Sequence, residues 1–224
     1  FRNDIDHLFT SSPVWAFNED PASGFFIGTK NGLIFQSKKT ATSNAFPLRH
    51  KNGGSLSDNI NSLFRDIEGT LWVGSGNGLR KFNPRSNNLT AYVNDPKDTT
   101  SISAGGVFAV KDKDLDSLWI GTENGLDLMS KSNGKFIHFK KNASDSNSSD
   151  GNFVVALLVE KTGDLWVAHR NGGGLDLFDH ITRRFRQFLK GTNLSSLVRD
   201  SSGTLWVGTD DGLYETKGHA DGFK

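Results

Sequence analysis

Apolar residues in this chain come in short runs separated by polar, glycine-bearing turns, and no stretch sustains the spacing of an amphipathic helix. One set of runs reads "VWAF" at 14–17, "INSLF" at 60–64, "VFAV" at 107–110, "VVALLV" at 154–159 and "LSSLV" at 194–198. Each is followed by a turn such as "RDIEGT" at 65–70 or "RDSSGT" at 199–204, where Asp can bond the backbone two residues on and Gly supplies the left-handed conformation. A second run, a Gly-closed turn, "GL" with a few further residues, another polar turn and an aromatic segment complete the unit. "LTAYV" at 89–93, "KFIHF" at 135–139 and "RFRQF" at 184–188 are examples of that last segment. Short runs rich in β-branched and aromatic residues, bounded by Gly, Asn, Asp and Ser, predict four strands per unit.

The second run makes the repeat explicit. It reads "GFFIGTKNGL" from Gly24, "GTLWVGSGNGL" from Gly69, "DSLWIGTENGL" from Asp116, "GDLWVAHRNGGGL" from Gly163 and "GTLWVGTDDGL" from Gly203. Phe26, Trp72, Trp119, Trp166 and Trp206 share one position, at spacings of 46, 47, 47 and 40 residues. Periods of about 40–50 residues with four antiparallel strands mark β-propeller blades. The predicted fold is therefore all-β: a β-propeller of four-stranded antiparallel blades with five repeats, either a closed five-bladed ring or an arc of a larger propeller.

One propeller domain over 1–224 is expected, with blade cores near 14–36, 60–93, 107–139, 154–188 and 194–216. The fourth-strand aromatic lies eleven residues after the hairpin glycine in units three and four, and the same step from Gly212 reaches Phe223. Residues 1–5, "FRNDI", are then expected as a closing fourth strand beside 212–216, which would remove exposed sheet edges. The in-phase tryptophans are expected to pack between blades.

Triple glycine after "HRN" in unit four raises the question of a phosphate cradle. The equivalent positions elsewhere read as three-residue hairpin loops, and no helix pattern follows, so residues 170–174 are predicted to be the same turn with one more residue.

Basic and acidic residues nearly cancel, at 26 against 25, and no long run of either sign occurs, which argues against nucleic acid or an anionic membrane as partner. The absence of cysteine excludes disulfides and thiolate zinc sites. No apolar run approaches the roughly 18–20 residues of a membrane helix, so no insertion by this segment is expected. The chain opens on Phe1 and is expected to be a piece of a longer protein.

The repeated "LW[VI]GTxxGL" with an upstream "V-x-x-[LIF]-x-x-D-x-x-G" resembles the two-component regulator propeller repeat, and the resemblance runs over essentially the whole chain. It implies the periplasmic sensor region of a Bacteroides-type hybrid two-component histidine kinase, a non-catalytic propeller that detects oligosaccharide; the alternative readings are a protein–protein interaction scaffold propeller and a propeller enzyme similar to the streptogramin lyases. The remainder of the parent kinase, and a second copy in a homodimer, are the implied partners. Unit one departs from the pattern at Phe26, and unit four at Ala168-His169, where the others have Gly-Thr or Gly-Ser.

Strand polarity places the Gly-closed hairpins and the connectors near 94–106 and 140–152 at one end of the blades, where recognition is expected. The second residue of the first strand varies most: Trp15, Asn61, Phe108, Val155 and Ser195. The candidate ligand-binding residues are Trp15, Asn61 and Phe108 on first strands, with Lys30, Glu123, His169, Arg170 and Asp210 at hairpins. No catalytic residue, metal or cofactor is expected, because "DIDH" at 4–7 lacks metal-ligand spacing and the six histidines occupy unrelated positions in the repeat.

Overall fold

A computed structural model describes residues 13–40, 42–46, 59–83, 88–216 and 223. They form only strands and turns, and among them no helix is long and apolar enough to cross a membrane. The first blade comprises β1 (Val14–Asp20), β2 (Gly24–Thr29), β3 (Gly32–Ser37) and β4 (Ser43–Phe46). The second has β5 (Ile60–Arg65), β6 (Leu71–Ser75), β7 (Gly78–Asn83) and β8 (Asn88–Tyr92). The third has β9 (Val107–Asp112), β10 (Ser117–Thr122), β11 (Gly125–Ser130) and β12 (Phe136–Phe139). The fourth has β13 (Val154–Val159), β14 (Leu165–His169), β15 (Leu175–Phe178) and β16 (Phe185–Phe188). The fifth has β17 (Leu194–Arg199), β18 (Leu205–Thr209) and β19 (Gly212–Thr216).

Within every sheet the strands pair in sequence order, giving four four-stranded sheets and one three-stranded sheet. The pairing expected of residues 1–5 lies outside the described residues. The chain divides into two compact units, Phe1–Val110 and Lys111–Lys224.

Trp72, Trp119 and Trp166 are almost wholly buried, whereas Trp206 is half-buried. In the first unit Trp72 lies 6.1 Å from the Tyr92 ring, and Phe26, Leu33, Ile60, Leu71, Val73 and Phe82 form a core shared by two blades. In the second unit Trp119 meets Phe178 edge-on at 5.4 Å, and Trp166 packs on Phe188 at 5.4 Å and Phe223 at 6.1 Å. Phe223 thus takes the packing position expected of a fourth-strand aromatic. The "LWVG" glycine is a close-approach residue: a Cβ at Gly28 would sit 2.5 Å from Ile60 Cγ2, and one at Gly74 would sit 2.7 Å from the Val107 carbonyl oxygen. Ala168 is accommodated in blade four, fully buried against the cluster containing Leu194.

The acid in the turn before each tryptophan serves two purposes. Asp66 accepts from the Trp72 indole at 2.8 Å and from the backbone N–H groups of Glu68 and Thr70. Glu160 accepts from Trp166 at 2.6 Å, and Asp200 from Trp206 at 2.8 Å. The Trp206 indole, aided by Ser202 and the Thr204 N–H, holds the Asp200 carboxyl down to about 2. Blade three breaks the rule. Lys113 stands six residues before Trp119, in a turn closed by the same backbone bond, and the buried Trp119 Nε1 makes no hydrogen bond among the described residues. Lys113→Asp is therefore expected to stabilise the protein by about 1 kcal/mol, since satisfying a buried donor outweighs the exposed Lys113–Asp114 pair it removes. A rise in the urea midpoint together with slowed exchange of the Trp119 indole proton would establish this; an unchanged midpoint would refute it.

Candidate functional site

Backbone bonds tie the hairpins of blades one, two, four and five to the start of their own first strands. The Lys30 N–H donates to Pro13 (3.3 Å), Gly76 to Asn59 (3.0 Å), Arg170 to Phe153 (2.9 Å) and Asp210 to Asn193 (3.2 Å). Hairpins and first-strand entries therefore share one end of each blade. At that end the ladder shifts register between Val14 and Ala16, Ile60 and Ser62, Val154 and Ala156, and Leu194 and Ser196. The skipped residues are Trp15, Asn61, Val155 and Ser195, the positions that vary most along the sequence. A bulge frees its extra residue from the ladder and re-aims the side chain, so the repeat itself builds a display position here. Trp15 is 47% exposed. Asn61 and Phe108 are half-buried neighbours: a Cβ at Gly106 would lie 2.9 Å from Phe108 Cε2 and 3.1 Å from Asn61 Nδ2.

The hairpin loops hold two residues, not the expected three. Thr29, Ser75, Thr122 and Thr209 close them by donating to the carbonyls of Gly32, Gly78, Gly125 and Gly212 while accepting from the N–H at the second loop residue. The closing glycines, such as Gly32 at φ 125° and Gly78 at φ 99°, occupy backbone that favours glycine. Lys30, Glu123 and Asp210 are exposed at the tips.

Blade four departs from this scheme and corrects two expectations. His169 has no hydroxyl to close the loop, and five residues separate β14 from β15. Asn171 takes φ 57°, Asn193 Oδ1 accepts from Gly172 N–H at 2.8 Å, and Asn193 Nδ2 donates to Asp210 Oδ2 at 3.1 Å. His169 is not a surface residue: it is fully buried, so a ligand at the rim does not reach it. Its Nε2 lies 2.8 Å from Asp176 Oδ2, the same oxygen that accepts from Ser149 Oγ (2.9 Å) and Asp150 N–H (2.9 Å). Gly173 is required by this arrangement, because a Cβ there would come within 2.6 Å of the His169 Cβ and 3.0 Å of Gly151. The triple glycine is thus a turn, as predicted, and also the gap that lets connector 140–152 dock. Arg170 is exposed, its guanidinium 5.9 Å from the Phe153 ring.

Ser149, His169 and Asp176 do not form a nucleophilic relay. A relay places serine and carboxylate on opposite imidazole nitrogens, whereas here both face Nε2, and all three residues are buried. The cluster pins the connector. Sequence reasoning missed Asp176 and its counterparts Asp127 and Arg80, although a signal was present: in each case a charged residue directly follows "GL". Asp127 is buried with His138 Nδ1 at 2.7 Å, and Arg80 is buried and donates to Ser75. Asp164, Asp179 and His180 bring three ligand-type atoms within 4.8 Å of one another at the surface. His180 Nδ1 there bonds Asp164 at 2.8 Å. Despite the cost of partial burial, the His180 contacts hold the Asp164 carboxyl below its usual range.

Strand order, bulge and repeat define a protein built from propeller-type blades. Two stretches, residues 54–77 and 189–211, match the two-component regulator propeller model, so the chain carries that repeat. Its fold is similar to the extracellular domain of the hybrid two-component system BT3049 from B. thetaiotaomicron, with 19% identity and a TM-score of 0.81 over 94% of this chain and 29% of that one. It is also similar to the extracellular domain of the hybrid two-component system BT4673 from the same organism, with 20% identity and a TM-score of 0.76 over 95% and 30%. The chain therefore spans less than a third of either relative's length. A catalytically inactive virginiamycin B lyase from Staphylococcus aureus shares the fold at 13% identity and a TM-score of 0.67, over 89% of this chain and 64% of that one. No curated protein matches the sequence.

Proposed function

We propose that this chain is a non-catalytic, ligand-sensing part of a periplasmic sensor region in a two-component histidine kinase, and that the hairpin-bearing ends of its blades recognise oligosaccharide. The observation that carries the reading is the bulge at the second residue of the first strand. It recurs in β1, β5, β13 and β17 and presents a different side chain each time beside a hairpin. In the first unit Trp15 offers an aromatic face to a sugar ring, with Asn61, Phe108 and Lys30 supplying amide, ring and ammonium. In the second unit Glu123, Arg170 and Asp210 supply charged hydrogen-bonding groups to hydroxyls. The similarity in fold to extracellular domains of two-component systems supports the placement outside the cytoplasm.

His138, His169 and His180 are each engaged by a different carboxylate, those of Asp127, Asp176 and Asp164, and do not converge on one centre. Signal transfer requires the ligand to favour one arrangement of the sensor over another, through the remainder of the parent kinase or a second copy of the chain. Calorimetric titration with a panel of neutral and charged oligosaccharides tests the reading. Saturable binding with the ligand recovered intact is expected, and silence across the panel overturns it.

A further inference from the structure

The first two blades meet through smaller side chains than the third and fourth. In the second unit Trp119, Phe139, Phe178 and Phe185 pack ring to ring, with centroids 4.9–6.2 Å apart. Strand register makes Phe26, Phe46, Phe82 and Leu89 their counterparts in the first unit. Trp is replaced by Phe, and Phe by Leu, while Phe35, across from Phe26, stands where the third blade has Leu128 across from Trp119. At this place lies a cleft of about 610 Å³ with Phe26, Phe35, Phe46 and Phe82 in its wall, a size within the range of small-molecule sites.

Its rim is polar. Asp20 has no indole to bond, because Phe26 carries none, and it pairs instead with Arg65 Nη2 at 2.5 Å. Against the cost of partial burial, the Ala22 N–H and the Arg65 charge hold Asp20 below its usual range. Arg65 Nη1 donates to the Gly69 carbonyl, and its buried Nε makes no hydrogen bond among the described residues. A similar strap, Arg199 to Glu160, recurs in the second unit, where Trp166 fills the interface. Lys81, 5.8 Å over the Trp72 ring, adds a second cation to the rim, and Glu68 a second carboxylate.

We infer that this cleft is a second ligand site, separate from the hairpin rim, for a planar aromatic group carrying an anionic substituent. The ring replaces the absent indole against the phenylalanines, and the anion accepts from Lys81 Nζ, which no carboxylate among the described residues pairs, whereas Arg65 is taken up by Asp20. The site is independent of oligosaccharide recognition.

Titration of the intact chain with 2-naphthoate, by calorimetry and by NMR shift mapping, tests this. One saturable site is expected, with shifts at Phe26, Phe82 and Lys81. Phe26→Trp, which refills the cleft, abolishes binding, and Lys81→Glu, an exposed change that leaves the fold intact, weakens it about tenfold or more, as loss of one charge-assisted contact requires. 2-Naphthylmethanol and 2-naphthylmethylamine bind more weakly than the acid. Absence of saturable binding to the unaltered chain, undiminished binding by either variant, or equal binding of the alcohol or amine would each overturn the inference.

Discussion

Trp166→Ala is expected to destabilise the protein by about 3–5 kcal/mol, the largest loss from any single side chain in the second unit. The indole is fully buried and touches the rings of Phe188 and Phe223. Its removal opens a cavity that strands tied into two ladders cannot collapse around. The substitution also leaves Glu160 without its indole donor, although Arg199 still pairs with that carboxylate. Because each blade buries its apolar face mainly against a neighbour, the damage spreads to the next blade. Urea unfolding should show the loss, and amide exchange in β17 should accelerate with it. Trp206→Ala, at a half-buried copy of the same position, should cost visibly less. Equal and small effects at both sites would show that the indoles do not hold the blades together.

Asp176→Ala follows closely, at about 3–5 kcal/mol, the range for breaking a buried polar pair by removing one partner. One carboxylate oxygen serves Ser149 Oγ, Asp150 N–H and His169 Nε2, so its loss takes the acceptor from the Asp150 N–H and the partner from His169 Nε2, while Ser149 Oγ keeps the Gly151 carbonyl. The second consequence is local. Connector 140–152 loses two of its ties to the blade, and exchange of the Asp150 amide should rise further than global destabilisation explains. A uniform increase in exchange across the unit, with Asp150 no faster than its neighbours, would contradict a pinning role.

The blade positions were legible because tryptophan recurs in phase and each copy is bracketed by the same turn chemistry. Antiparallel sheets in sequence order follow from that pattern with no long-range information. The bulges were not legible, since they depend on register between two strands. The variability at Trp15, Asn61, Val155 and Ser195 nevertheless marked the position that they release. His169 was misplaced for a physical reason. The sequence shows a histidine where other blades carry threonine or serine, but not that Ser149, in a connector twenty residues earlier, lies across from it on the same carboxylate. Gly173 likewise read as turn chemistry alone, because the close approach of Gly151 comes from the same connector. Phe26 was visible as a departure, but the space it leaves depends on Phe82 and Leu89 of the next blade.

The most direct test of the central claim is an NMR titration of the isotopically labelled chain with whichever oligosaccharide the calorimetric panel selects. The account predicts that the largest shifts fall on the bulge and hairpin residues, among them the Trp15 indole, Asn61, Phe108 and Lys30, and that Trp15→Ala lowers affinity by about tenfold, as loss of one aromatic stacking face requires. Shifts confined to the opposite turns, with Trp15→Ala binding as tightly as the unaltered chain, would contradict it.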